Sequence, residues 1–140
     1  LTTGSATTGQ VLTYNGSAWA PATPSGGSVT TQEQSGSGTV TTSYTTIADI
    51  SLAAGTWKID ANASCLTNAG MDVQFELYNV GSSTILMTSR STASATLEYL
   101  NFGLTRLQTL GSTTTIRLRA KTSNGTCTAA SGENYITAIK

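Results

Sequence analysis

The sequence predicts an antiparallel all-β sandwich of about eight strands. Three observations predict it. From Ser28 onward apolar and polar residues alternate in short runs, Gly, Ser and Asn punctuate those runs, and no capped stretch carries an apolar 3.6-residue period. At 140 residues the chain holds one full-sized core plus a small appendage. We therefore divide it into residues 1–27, a stalk segment and linker, and residues 28–140, the sandwich.

Within the first segment the informative stretch is Gly9-Gln10-Val11-Leu12-Thr13-Tyr14-Asn15-Gly16-Ser17-Ala18-Trp19-Ala20-Pro21. Asn15-Gly16 tolerates the positive φ angles of a tight turn, so Val11 to Tyr14 and Ala18 to Trp19 are expected to pair as a ribbon. An isolated hairpin is marginal in water, so neighbouring chains are needed to cover Val11, Leu12, Tyr14 and Trp19. Ala22 to Gly27 reads as a linker. The stretch resembles repeats in the shafts of phage tail fibres and of the tail-fibre-like adhesive trimers of predatory bacteria. The resemblance implies a trimeric stalk placed before a globular receptor-binding tip. The competing reading is a disordered linker with a chance hairpin.

The eight strands expected in the head are Ser28 to Gln34, Tyr44 to Leu52, Thr56 to Cys65, Asp72 to Val80, Thr84 to Arg90, Thr96 to Gln108, Thr114 to Thr122 and Asn134 to Lys140. Trp57, Ile59, Ala61, Ala63 and Cys65 form one apolar row, opposed by Lys58, Asp60, Asn62 and Ser64. Val73, Phe75 and Leu77 alternate with polar neighbours, as do Ile116, Leu118 and Ala120. The sixth strand breaks this rule, with Leu97 and Tyr99 on one face and Leu100, Phe102 and Leu104 on the other. A strand apolar on both faces calls for cover on both, and these five residues are the candidate trimer interface.

Eight antiparallel strands with tight connections suggest a jelly roll. The turn and strand Leu52-Ala53-Ala54-Gly55-Thr56-Trp57-Lys58-Ile59, followed by Glu76-Leu77-Tyr78-Asn79-Val80-Gly81, is similar to the C1q and tumour-necrosis-factor family of trimeric jelly rolls. That resemblance implies a homotrimer with both ends of the head near the stalk. Independently of it, strict reversal of direction puts Ser35 to Ser43, Leu66 to Met71, Ser91 to Ala95 and Ser123 to Glu133 at the far end. The shorter connections would then face the stalk. The same parity places Cys65 beside Cys127 and predicts a disulfide, the alternative being two buried free thiols.

Histidine is absent and the seven acids balance the seven bases. Enzyme chemistry therefore lacks its commonest proton shuttle, and nucleic acid lacks a basic footprint. The basic row Arg117, Arg119 and Lys121 reads as a solvated sheet face paired with Glu76 and Asp60. No catalytic pair, cofactor loop, metal set or membrane-spanning run is evident. Candidate ligand contacts are the far-end polar residues Asn68, Asp72, Arg90, Asn124 and Glu133, whose groups suit sugar hydroxyls or acidic sugars. The expected function is a surface-exposed, cofactor-free tip that binds a cell-surface glycan or protein. A structural cap that only closes a trimeric fibre is the second reading, and a polysaccharide-degrading tip the third.

Overall fold

A computed structural model of the chain describes residues 7–14, 16–22 and 30–140, with the side chain of Ser131 left aside. The described residues form ten strands and no helix. They are β1 (Val11–Tyr14), β2 (Trp19–Ala22), β3 (Thr31–Val40), β4 (Thr45–Leu52), β5 (Gly55–Thr67), β6 (Asp72–Asn79), β7 (Thr84–Thr92), β8 (Glu98–Leu110), β9 (Thr114–Thr122) and β10 (Cys127–Ile139). β1 and β2 pair with Tyr14 opposite Trp19, their rings 5.4 Å apart. Gly16 takes the positive φ expected of the turn, while Asn15 and the linker from Thr23 to Gly27 lie outside the described residues. Val11, Leu12, Tyr14 and Trp19 stand exposed, as a ribbon of this size requires.

The head is one long hairpin rolled up. Its arms pair antiparallel in the nested order β6–β7, β5–β8, β4–β9 and β3–β10. Rolling splits them into two four-stranded sheets, β3-β10-β5-β8 and β4-β9-β6-β7. This is a jelly-roll sandwich, as the alternation predicts. Period-2 patterning sends one face of each strand between the sheets. There the row from Trp57 to Cys65 meets Val73, Phe75, Leu77, Ile116, Leu118 and Ala120, all buried. Phe75 of one sheet and Phe102 of the other stack with centroids 4.6 Å apart. Burying each large side chain here contributes about 1.5–3 kcal/mol. At the edge where β3 passes β4, a Cβ on Gly36 would lie 1.8 Å from the carbonyl oxygen of Ile47, so only glycine fits.

Two strands run six or more residues past an end that the sequence predicts. The first was expected to end at Gln34 but continues to Val40, and the last was expected to begin at Asn134 but starts at Cys127. Both extensions are Gly-, Ser- and Thr-rich and carry little apolar alternation, so the pattern that marks strands elsewhere is missing. The two extensions pair with each other, Cys127 opposite Val40 and Ala129 opposite Gly38. Between Ala129 and Asn134 the register shifts, and the side chain of Asn134 repairs the ladder. Its Oδ1 accepts the Ser64 N–H at 2.8 Å and its Nδ2 donates to the Ala130 carbonyl at 2.7 Å.

The poles of the sandwich follow from these boundaries. At one pole Thr30 and Lys140 exchange two backbone hydrogen bonds, and Lys140 Nζ donates to the Ala54 carbonyl at 2.7 Å. The connections 41–44, 68–71, 93–97 and 123–126 share the opposite pole. They are knit together there by Thr122 N–H to Thr41 O, Ser123 N–H to Asp72 O and Gly70 N–H to Ala93 O. The long far-end loops expected at 35–43 and 123–133 do not exist, because strand pairing consumes them.

Candidate functional site

The predicted disulfide is formed. Cys65 of β5 and Cys127 at the start of β10 are joined with their Cα atoms 5.8 Å apart, and both are buried. Cys127 is therefore a strand residue and not the anchor of a long loop.

The outer face of β4-β9-β6-β7 carries a tightly bonded ionic cluster. Alternation places Glu76 of β6 and Arg119 of β9 on that face, opposite each other in the register. Arg119 donates from Nε to Glu76 Oε2 at 2.9 Å with Nη2 2.8 Å from the same oxygen, and its guanidinium lies 4.1 Å from the Tyr44 ring centre and 3.7 Å from that of Tyr78. Tyr44 Oη and Gln74 Nε2 both donate to Glu76 Oε1. Glu76 is only 1% exposed and the Arg119 side chain 18%, so the pair sits under the two rings. Burial pushes the Glu76 carboxyl upward, but the bonds from Tyr44, Arg119 and Gln74 outweigh it and hold the group below the usual carboxylate range. Tyr44 is pushed up to about 12 by desolvation, by its bond to Glu76 and by the charge of that carboxylate. Beside this cluster Arg117 grips Asp49 through two bonds of 2.8 and 2.7 Å.

A shallow cleft of about 250 Å³ opens next to the cluster, lined by Thr42, Asp72, Gln74, Arg90, Lys121, Thr122 and Ser123. Thr42, Asp72, Arg90 and Ser123 come from strand ends and connections at the pole away from Thr30 and Lys140. Asp72 takes bonds from the Thr92 hydroxyl and from Arg90, which lower its pKa in that order of weight. Its backbone N–H donates to Ser123 Oγ at 3.1 Å.

Of the five ligand-contact candidates, Asp72 and Arg90 meet in this cleft, and Asn124 adjoins it through Ser123 Oγ. Asn68 lies at the same pole in the connection before β6, outside the cleft. Glu133 is not a loop residue. It falls within β10, where its Oε2 accepts the Ser64 hydroxyl at 2.6 Å and its carbonyl accepts Asn62 Nδ2, because the bulge folds it over the first sheet. Glu133 therefore covers Ser64, the one residue of the expected wet row on β5 that is buried. The basic row pairs as expected at Arg119 with Glu76, but Asp60 belongs to the other sheet, where it meets Lys58 and Thr105. The sequence reading missed Tyr44, Gln74 and Thr42, which carry no signal without the fold.

The outer face of β3-β10-β5-β8 is different. Leu100, Phe102 and Leu104, three of the five interface candidates, fill the interior of their own subunit, since they face the second sheet. They are core residues and not interface residues. Leu97 and Tyr99 do face outward, 70% and 53% exposed, and Leu107 at 69% and Ile139 join them. In the register Lys58 of β5 has Leu107 on one side and Ile139 on the other, a row running across the sheet. Leu97 has a φ of 57°, a region that a leucine rarely adopts. Its neighbour Glu98 holds the turn, accepting the N–H groups of Ser94 and Ala95, while Thr67 Oγ1 donates to the Glu98 carbonyl.

Comparison with known proteins gives a likeness of fold. No family model matches the chain, and no curated protein matches it. Among solved structures, Eiger TNF from S. frugiperda matches with a TM-score of 0.50 and 10% identity, over 63% of this chain and 60% of that one. A structure of the infectious bursal disease virus Gt strain matches with a TM-score of 0.56 and 12% identity, over 92% of this chain and 35% of that one. The T=1 particles derived from infectious bursal virus give 0.51 and 12%, with 92% and 35% covered. The chain thus spans less than two thirds of each of these structures. Nested pairing and these neighbours agree: the head is an all-β antiparallel jelly roll, similar to a TNF protein and to chains of a viral particle.

Proposed function

We propose that this chain is the receptor-binding tip of a homotrimeric surface fibre, recognising a cell-surface glycan or protein by non-covalent contact. It works outside the cell, on a phage tail or a bacterial surface, and is not an enzyme. The observation that carries the reading is the unlike treatment of the two outer faces. One exposes Leu97 and Tyr99 towards one pole and Leu107 and Ile139 towards the other, apolar side chains that sister subunits would cover. The other is charged and hydrogen-bonded, and it leads to a polar cleft at the pole away from the head's two ends. Support comes also from the likeness to a TNF protein and to chains solved as assembled particles. Among the described residues no group of His, Cys, Asp and Glu gathers to hold a metal.

A structural cap that closes the fibre without recognising anything is the second reading, favoured by the short connections at the far pole. Light scattering and a glycan array test both. The tip reading expects three copies per particle and reproducible binding to glycans or host cells that Arg90→Ala or Asn124→Ala weakens. A stable trimer silent on every glycan and cell would leave the cap, and a soluble single copy at micromolar concentration would overturn both.

A further inference from the structure

Resting on the tip reading, we infer that the cleft beside Tyr44 is the recognition subsite and that it takes a sugar residue bearing one carboxylate, with Lys121 as its counter-ion.

Among the cations that line the cleft, charge pairing points to Lys121. Arg90 faces Asp72, Arg117 faces Asp49, Arg119 faces Glu76 and Lys58 faces Asp60. Among the described residues Lys121 has no carboxylate partner; its Nζ lies 4.6 Å from the centre of the Tyr44 ring. The lining of the cleft therefore holds Arg90 and Lys121 against Asp72, which leaves one positive charge unmatched. One unmatched cation beside an acid suits a monoanion and disfavours a phosphate dianion or a polyanion, which would meet Asp72.

Hydrogen-bonding capacity identifies the rest of the ligand. Gln74 Nε2 is committed to Glu76 Oε1 at 2.6 Å and to Tyr44 Oη at 3.0 Å, which fixes the orientation of the amide; its Oε1 accepts no bond among the described residues, and Gln74 lines the cleft. The Thr42 hydroxyl makes no side-chain bond among the described residues and lines the same space. A cation, a fixed acceptor and a hydroxyl around about 250 Å³ suit one polyhydroxylated ring better than an apolar ligand, which the polar lining would not repay. Repetition in a trimer would raise weak single sites to useful avidity.

The test is an NMR titration of the wild-type chain with glucuronic acid and N-acetylneuraminic acid, each compared with its uncharged methyl ester. At least one acid should shift the amides of Thr42, Gln74, Lys121 and Ser123, with a Kd on the order of 1 mM. Its ester should bind about tenfold more weakly, and Lys121→Ala should cost the acid about the same factor. Raising salt on the wild-type protein should weaken the acid and not the ester, which keeps the test independent of how the variant folds. Equal binding of acid and ester, or shifts located away from the cleft, would overturn the inference. Binding to cells without any preference for the acids overturns this subsite and leaves the tip reading standing. Absence of binding to acids, esters and cells alike overturns both.

Discussion

The two sheets of the sandwich solve the same problem on their inner faces and opposite problems on their outer ones. The sheet β3-β10-β5-β8 is locked by the Cys65–Cys127 bridge and leaves Tyr99, Leu107 and Ile139 in water. The sheet β4-β9-β6-β7 exposes almost no apolar side chain along its centre and spends its outer face on Glu76, Arg119, Tyr44, Arg117 and Asp49. Strand pattern alone would call both faces outside. What distinguishes them is that the first face leaves apolar side chains uncovered at both of its ends, while the second, Ile85 on its edge strand apart, is built of polar groups that satisfy one another.

Four experiments would break or sharpen this contrast. The largest effect is expected from Leu107→Asp with Ile139→Asp, which should convert the assembly entirely to single copies. Both side chains are exposed in the subunit, so its unfolding free energy should move by no more than about 0.5 kcal/mol each. Analytical ultracentrifugation decides, and a persisting trimer would show that the apolar face is not the interface. Replacing Cys65 and Cys127 by Ser should cost about 4 kcal/mol in the chain-entropy picture, given a separation of 62 residues. Denaturant titration measures it, and a loss below about 1 kcal/mol would mean that the bridge adds little to pairing already made.

Glu76→Ala should cost about 3 kcal/mol, because it strands a largely buried guanidinium, whereas Glu76→Gln keeps an acceptor and should cost less. Equal costs would remove charge from the explanation. The smallest effect concerns pH. Glu76, Asp72, Asp60 and Glu98 all have folded-state pKa values below their ordinary ones. Their stabilisation is present above the ordinary carboxylate range and is lost as pH falls through the depressed values. Tm should therefore decline on acidification from pH 6 to pH 3, and more gently in Glu76→Gln. An identical slope in that variant would take Glu76 out of the acid response.

Much of the fold could be read from the residues. Every strand with an apolar row was placed, including β5 from Trp57 to Cys65 and β9 around Ile116 and Leu118, because period-2 patterning reports burial directly. The extensions 35–40 and 127–133 were read as loops, since Ser, Gly and Thr pair through backbone alone and leave no pattern. The site was less legible. Asp72 and Arg90 were nominated by their chemistry and by strand parity, and the pairing of β6 with β7 does bring the two side chains together. Gln74 and Thr42 could not be found that way. Their roles depend on which bonds are already taken by Tyr44 and Glu76, and that depends on three strands meeting. Leu100, Phe102 and Leu104 were assigned to the interface because alternation tells two faces apart without saying which is inner.

The backbone bonds between Thr30 and Lys140 also set how the head can be rebuilt. Polypeptide enters and leaves the domain at one spot, so a fluorescent reporter joined after Lys140 would emerge beside the incoming chain. The cleft and Leu97, at the opposite pole, would remain unobstructed. For the same reason the whole head could be spliced into a foreign scaffold as a single inserted module, its two junctions side by side.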